Sequence, residues 1–294
     1  MDLISIDSLS DDQIATILDR ADHFFAANRA REFRAELAGK IVFNLFYENS
    51  TRTAMSFATA VHRLGASPVS LSVEHSSVKK GETLEDTART LNAMRPDALV
   101  IRHRDNGASA VVAEIVECPV INAGDGTNEH PTQALLDAAA IRQRFGRLDG
   151  LKVAICGDIR HSRVARSNAK LLPRLGCEVR LAGPPELMPS EAPGPLSIDE
   201  AISGADVVMM LRIQRERLEQ DLNDAPGEYL DRYGLTVERL ATASPGAAVM
   251  HPGPMNRGVE IDGAIADDPD RSLITLQVEM GVAVRMACLE LLVG

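Results

Sequence analysis

Short apolar runs alternate with helical patterns twice over along this chain, and that alternation leaves few folds open. Apolar runs at 40–46, 68–73, 98–103 and 119–122 are separated by helical periodicity at 51–64, 83–94 and 107–117. A strand that returns through a helix pairs in parallel, since antiparallel neighbours need only a tight turn. Ser10 reads as the cap of an earlier helix over 11–28, with Asp11 and Asp12 in its first turn. Pro131 stands at a first helical position, and that helix runs to about Phe145. Gly146 to Gly150 breaks the pattern and opens a second set. Strands are expected at 152–156, 178–182, 206–211 and 247–250, with helices at 162–175 and 198–203. A long apolar-faced helix, Leu273 to Val293, closes the chain. The expected architecture is α/β: two domains, each with a mostly parallel sheet flanked by helices, the C-terminal helix packing back on the first. The first domain takes residues 1–132 plus 276–294 and the second 133–275.

Two polar segments resist placement, 74–82 and 214–234. Loops of that size tend to be lids or binding loops. The formal charge of −11 argues against nucleic acid or anionic membrane as a partner, since both reward basic surfaces. Aromatics make up only 3% and Trp is absent, so the core must rest on Leu, Ile, Val, Ala and Met. Cys118, Cys156, Cys177 and Cys288 lie far apart, without the spacing of a zinc site or a small disulfide framework. Buried thiols in a reducing compartment are expected. Met1-Asp-Leu-Ile-Ser-Ile-Asp lacks the basic region and apolar core of a signal peptide, so the expected location is cytoplasmic.

Open parallel sheets bind ligands beyond the carboxyl ends of their strands. The polar residues there are Ser50–Thr53, Ser76 and Lys80, Arg102-His103-Arg104, and Gly124-Asp-Gly-Thr-Asn-Glu-His130-Pro-Thr-Gln133. The second set adds Arg160-His-Ser-Arg163, Arg212-Ile-Gln214 and His251-Pro-Gly-Pro254. Taken singly, each has a plainer reading. Ser50 or His130 would cap a helix, Lys80 would sit in a solvated loop, Arg102 and Arg104 would make weak surface ion pairs, and Arg212 would be structural. Gly157-Asp158 resembles a dinucleotide turn, but G-x-G-x-x-G is absent, so NAD is excluded. Jointly, an acidic protein is placing its cations at the edges of two sheets, and an anion-binding cleft is the better account.

Ser50-Thr51-Arg52-Thr53 is the most specific of these stretches. It stands where a strand hands over to a helix, and there the first N–H groups lack intrahelical partners and the dipole favours negative charge. A cap needs one hydroxyl. Two more hydroxyls and an Arg fork suit a phosphate.

Phe46-Tyr-Glu-Asn-Ser-Thr-Arg-Thr53 resembles the carbamoyl phosphate signature of the aspartate and ornithine carbamoyltransferases, and His130-Pro-Thr-Gln133 resembles their second signature. Lys79-Lys80-Gly-Glu-Thr83, the Gly124-Asp-Gly form of the second motif and Arg212-Ile-Gln214-Arg-Glu-Arg217 are similar to the aspartate branch. The ornithine branch would carry His-Cys-Leu-Pro near His251, and this chain has no Cys there. The resemblance covers nearly the whole chain in one order. One departure stands out: many members of the aspartate branch read His-Pro-Leu-Pro where this chain reads His251-Pro252-Gly253-Pro254. The role there belongs to backbone carbonyls, which Gly253 and Pro254 still offer.

The resemblance implies carbamoyl transfer from carbamoyl phosphate to the α-amine of L-aspartate, in pyrimidine biosynthesis, with no metal and no cofactor. By the same resemblance, Ser50, Thr51, Arg52 and Thr53 hold the phosphate with Ser76. Arg102 bridges phosphate and carbonyl oxygen, and Thr53, Arg102 and His130 serve the developing oxyanion. Gln133 and the Gly253 and Pro254 carbonyls orient the amines. Lys80, Arg163, Arg212 and Gln214 receive aspartate. Ser76 and Lys80 are expected to enter from a neighbouring subunit of a homotrimer. The Gly-Pro-Met-Asn-Arg-Gly form resembles members that associate with dihydroorotase-like chains, and regulatory chains are a further possible partner.

Overall fold

The structure, a computed structural model, describes residues 1–72, 81–190, 196–213 and 226–294. It divides into two compact units, Met1–Ala139 with Val278–Gly294, and Ala140–Gln277. Ser76, Lys80 and Gln214 lie outside the described residues.

The first unit holds β1 (Ile41–Phe46), β2 (Ser67–Ser72), β3 (Ala98–His103) and β4 (Val120–Asp125), all parallel, in the order β2-β1-β3-β4. α1 (Asp11–Arg29) precedes them, and α2 (Thr51–Arg63), α3 (Leu84–Asn92) and α4 (Ala108–Ala113) connect them in turn. β3 and β4 are buried almost throughout, which a parallel sheet covered on both faces requires. Successive side chains of a strand point to opposite faces. One face therefore gathers Phe43 and Leu45 of β1 with Leu99 and Ile101 of β3, against Ala88 of α3 and Val112 of α4. Each large apolar side chain fully buried in this way contributes about 1.5–3 kcal/mol. Ser10 caps α1 with a reciprocal bond from Gln13, as its spacing suggests.

α5 (Pro131–Phe145) leads into the second unit, where β5 (Lys152–Cys156), β6 (Glu178–Ala182), β7 (Val207–Met210) and β8 (Ala248–Met250) form a second parallel sheet in the order β6-β5-β7-β8. With them come α6 (Arg163–Arg174), α7 (Ile198–Ile202), α8 (Pro226–Tyr233), α9 (Val237–Leu240) and α10 (Gly263–Ala266). Ala154, Val208, Met210 and Val249 pack there against Ile198 and Ile202 of α7 and Ile265 of α10.

α11 (Ile274–Val293) packs on the first unit. Ala283, Val284, Met286, Ala287 and Leu289 are all buried. At its rim Arg20 of α1 grips Glu290 with Nε and Nη2 at 2.7 and 2.6 Å. Surface pairs of this kind contribute little, so the apolar face holds the helix.

Three sequence expectations need correcting. β4 runs on to Asp125 rather than ending at 122, and α4 stops at Ala113. Residues 226–233, within a stretch that resisted placement, form α8. Tyr229, fully buried, anchors it and meets Tyr233 one turn on with the two rings tilted at 45°. Two aromatics in eight residues are too few to register as a period.

Candidate active site

The strand order decides where a ligand can lie. In the first sheet the chain steps from β1 to β2 on one side and then crosses to β3 on the other, so the order reverses between β1 and β3. Loops diverge at such a point and open a crevice at the carboxyl ends. Ser50–Thr53 follow β1, and Arg102, the last residue but one of β3, stands in register with Phe46. Two motifs half a domain apart in sequence therefore meet at one sheet edge.

Ser50 occupies the N-cap position of α2, but its side chain makes no capping bond. Ser10, Thr83, Ser162 and Ser197 each accept an N–H from the first turn of their own helices. The first turn of α2 also has no acidic residue, whereas α1 and α3 each carry two there. A positive helix end with neither cap nor carboxylate is prepared for an external anion. Thr53 is buried, while Thr51 and Arg52 stay exposed.

Arg102 is not the surface ion pair of the plainer reading. It is 8% exposed; Nη2 donates to Glu48 Oε1 at 2.9 Å and Nη1 to the Ala123 carbonyl at 3.4 Å. Its guanidinium thus hangs between the end of β1 and β4. Arg104 does fit the plainer reading, exposed beside Asp105 at 3.7 Å. Burial pushes the pKa of half-buried His103 down, against the opposing pull of Asp105.

The loop from β4 to α5 is held by buried carboxylates. Asp125 accepts from Asn122 Nδ2 at 2.8 Å and from the Gly107 and Glu129 N–H groups at 2.7 and 3.1 Å. Glu129 accepts the Ile6 N–H at 3.0 Å. His130 follows, buried, and its carbonyl accepts from Gln133 and Ala134. Gln133 donates through Nε2 to Asp137 at 3.0 Å.

The second sheet repeats the device, its order reversing between β5 and β7. Gly157, just past β5, has φ +126°, and a Cβ there would meet the Leu211 carbonyl at 3.0 Å, so only glycine lets the two strand ends come this close. Asp158 accepts from the His161 N–H at 3.2 Å and faces its Nδ1 at 2.9 Å, ordering the turn. Ser162 caps α6, which makes Arg163 its first residue. Arg212 is exposed just beyond β7, and Gly253 and Pro254 follow β8. Gly253 has φ +65°, a left-handed conformation in which a leucine would be strained.

Within the first unit the structure thus brings Ser50, Thr51, Arg52, Thr53 and Arg102 to one sheet edge, with His130 just before α5 and Gln133 in its first turn. Within the second, Arg163, Arg212, Gly253 and Pro254 share the corresponding edge. Glu48 and Asp137 escaped the sequence reading: Glu48 lies inside the first motif, but no local pattern says that it reaches β3. Among the described residues no group of three or more His, Cys, Asp or Glu could hold a metal ion, and no helix is long and apolar enough to cross a membrane.

Residues 1–143 match the model for the carbamoyl-P binding domain of aspartate/ornithine carbamoyltransferase, and residues 149–292 match its Asp/Orn binding domain. The chain is 57% identical over 296 residues to the aspartate carbamoyltransferase catalytic subunit of Rhizorhabdus wittichii, covering 99% of this chain and 94% of that one. A solved aspartate transcarbamoylase from Trypanosoma cruzi, in complex with carbamoyl phosphate and aspartate, superposes with a TM-score of 0.88 at 33% identity, covering 100% of this chain and 95% of the other. The ornithine carbamoyltransferase of Pyrococcus furiosus also has a TM-score of 0.88, at 28% identity, covering 100% and 97%. With both of its units matched, this chain belongs to the aspartate/ornithine carbamoyltransferase family.

Proposed function

We infer that this chain transfers the carbamoyl group of carbamoyl phosphate to the α-amine of L-aspartate, giving N-carbamoyl-L-aspartate and phosphate in pyrimidine biosynthesis. The observation that carries this reading is the 57% identity, over nearly the full length of both chains, to an aspartate carbamoyltransferase catalytic subunit. The amine attacks the carbonyl carbon, an oxyanion develops, a C–N bond forms and the C–O bond to phosphate breaks. Phosphate is already a good leaving group, so the protein has to supply position and charge.

Ser50, Thr51, Arg52 and Thr53, at the positive end of α2, hold the phosphate with Ser76. Arg102 bridges phosphate and carbonyl oxygen, and Thr53 and His130 join it at the oxyanion. Gln133 and the Gly253 and Pro254 carbonyls orient the amines. Lys80, Arg163, Arg212 and Gln214 receive the aspartate carboxylates, with arginine supplying a two-pronged grip that lysine lacks. Residues 1–132 with 276–294 form the carbamoyl phosphate domain, and 133–275 the aspartate domain. Ser76 and Lys80 come from a neighbouring subunit of a homotrimer working in the cytoplasm. Dihydroorotase-like or regulatory chains are candidate partners.

An ornithine-using relative shares the phosphate half. Its cationic substrate side chain calls for acidic partners, whereas Arg163 and Arg212 stand at the second sheet edge here. Assaying the purified chain with aspartate and with ornithine decides between them, and turnover of ornithine alone would refute the reading. Mixing inactive Arg52→Ala and Lys80→Ala proteins should restore part of the activity through hybrid sites. No recovery after verified subunit exchange would refute shared sites.

A further inference from the structure

The loop that carries Gly253 and Pro254 is wired to the loop that carries Arg212, entirely inside the second unit. The His251 and Glu260 side chains are fully buried, with Nε2 3.2 Å from Glu260 Oε1. The Gly253 N–H donates to His251 Nδ1 at 2.8 Å. A backbone N–H can only donate, so Nδ1 carries no proton and the neutral ring keeps its proton on Nε2, facing Glu260. Orientation of the ring by Glu260 therefore sets the orientation of the Gly253 peptide.

Glu260 does more than face the ring. The Asn256 backbone N–H donates to its Oε1 and Asn256 Nδ2 donates to its Oε2 at 3.2 Å. The same Nδ2 donates to the Ile213 carbonyl at 2.9 Å. Ile213 is fully buried and follows Arg212 directly. A short chain of bonds thus runs from the Gly253 peptide through His251, Glu260 and Asn256 to the residue after Arg212. Asn256 stands two residues beyond Pro254, directly after the stretch 251–254 in which this chain carries Gly253.

We propose that Asn256 and Glu260 are positioning residues that set the Arg212 loop relative to the Gly253–Pro254 carbonyls, and so align aspartate with the carbamoyl group. They touch no substrate and act through Ile213 and His251. The proposal rests on the assignment of Arg212, Gly253 and Pro254 to the active site. Without such a tie the two strand-end segments would be placed independently, and misplacement by about 1 Å can lower a rate about a hundredfold. Asn256 removes that freedom without contributing charge to the site.

The test uses the full-length enzyme. Asn256→Ala should raise the KM for aspartate and lower kcat/KM for aspartate by about 10- to 100-fold, leaving the affinity for carbamoyl phosphate within about twofold. The double substitution Asn256→Asp with Glu260→Gln reverses donor and acceptor, so a 256–260 bond can re-form while the bond to Ile213 is lost. It should restore thermal stability and leave the aspartate KM raised, a split that a merely structural role would not produce. A folded Asn256→Ala or double variant with an unchanged aspartate KM would overturn the proposal. Arg212→Ala serves as the control. If it too leaves the aspartate KM unchanged, the site assignment falls and the positioning role with it. If Arg212→Ala has a large effect and the Asn256 variants have none, the positioning role alone falls.

Discussion

Arg285 is a cation in the middle of α11, 3% exposed. Its Nη1 donates to Ser56 Oγ of α2 at 2.7 Å, and its guanidinium lies 5.0 Å from the Phe57 ring centroid. Burial holds its pKa down to about 10 from 12.5; Cys288 and Asp137 oppose the fall and Arg102 adds to it. At about 1.36 kcal/mol per pKa unit, carrying this charge at neutral pH costs the fold about 3 kcal/mol. The sign follows from the depressed value. The penalty is complete below the folded pKa and vanishes as pH rises past the unfolded one. Opposing it are a charge-assisted hydrogen bond, about 1.5–3 kcal/mol, and a desolvated cation–π contact, about 2 kcal/mol. The two sides cancel to within about 2 kcal/mol. Arg285→Met removes all three effects while keeping much of the volume, so the unfolding free energy should change by less than about 1.5 kcal/mol. Arg285→Ala also leaves a cavity and should cost about 2–5 kcal/mol. Urea unfolding of both variants at equal protein concentration, with m-values compared, measures the difference. If the methionine variant loses as much as the alanine variant, the charge itself stabilises the fold and the reasoning is wrong.

If Arg102 serves the developing oxyanion as proposed, Arg102→Ala should lower kcat by about 10²–10³; a steady-state loss below tenfold would contradict that role. Burial pushes the Cys156 and Cys288 thiols up to about 12 and those of Cys118 and Cys177 up to about 11. At pH 8 only about one thiol in a thousand, or fewer, is then a thiolate, so brief iodoacetamide treatment of the native protein should leave all four unmodified by mass spectrometry. Arg29 holds Glu279 below the ordinary carboxylate range, Arg257 does the same for Asp267, and the Ser197 N–H for Glu200. Their contribution is complete above the unfolded values and is lost as pH falls through the folded ones, so thermal midpoints should stay level from about pH 7 to 5 and drop below about pH 4. A midpoint that rises on acidification would show that other groups dominate.

Much of this protein is local in origin, and that part was legible in the residues alone. Strand ends, helix caps and the Gly146–Gly150 break depend on neighbours a few positions away, so β5, β6 and α5 agree with expectation at both ends. The same locality exposed the site candidates, since a polar cluster after an apolar run marks a strand's carboxyl end. α8 was hidden because its partners are distant in sequence or lie beyond its own span: Tyr229 meets Leu187, Ile213 and Val259, and Arg239 donates to the Leu230 and Asp231 carbonyls. Strand order was hidden for a related reason. No residue in Ser50–Thr53 encodes that β3, rather than β2, supplies the arginine across the crevice; that depends on which strands pair. Tertiary structure alone decided that Glu48 would hold Arg102, that Arg285 would reach Ser56 across 229 residues, and that Asn256 would reach the Ile213 carbonyl 43 residues back. A side-chain bond across such a separation forms only after the packing of whole elements has met the entropy of closing the loop between them.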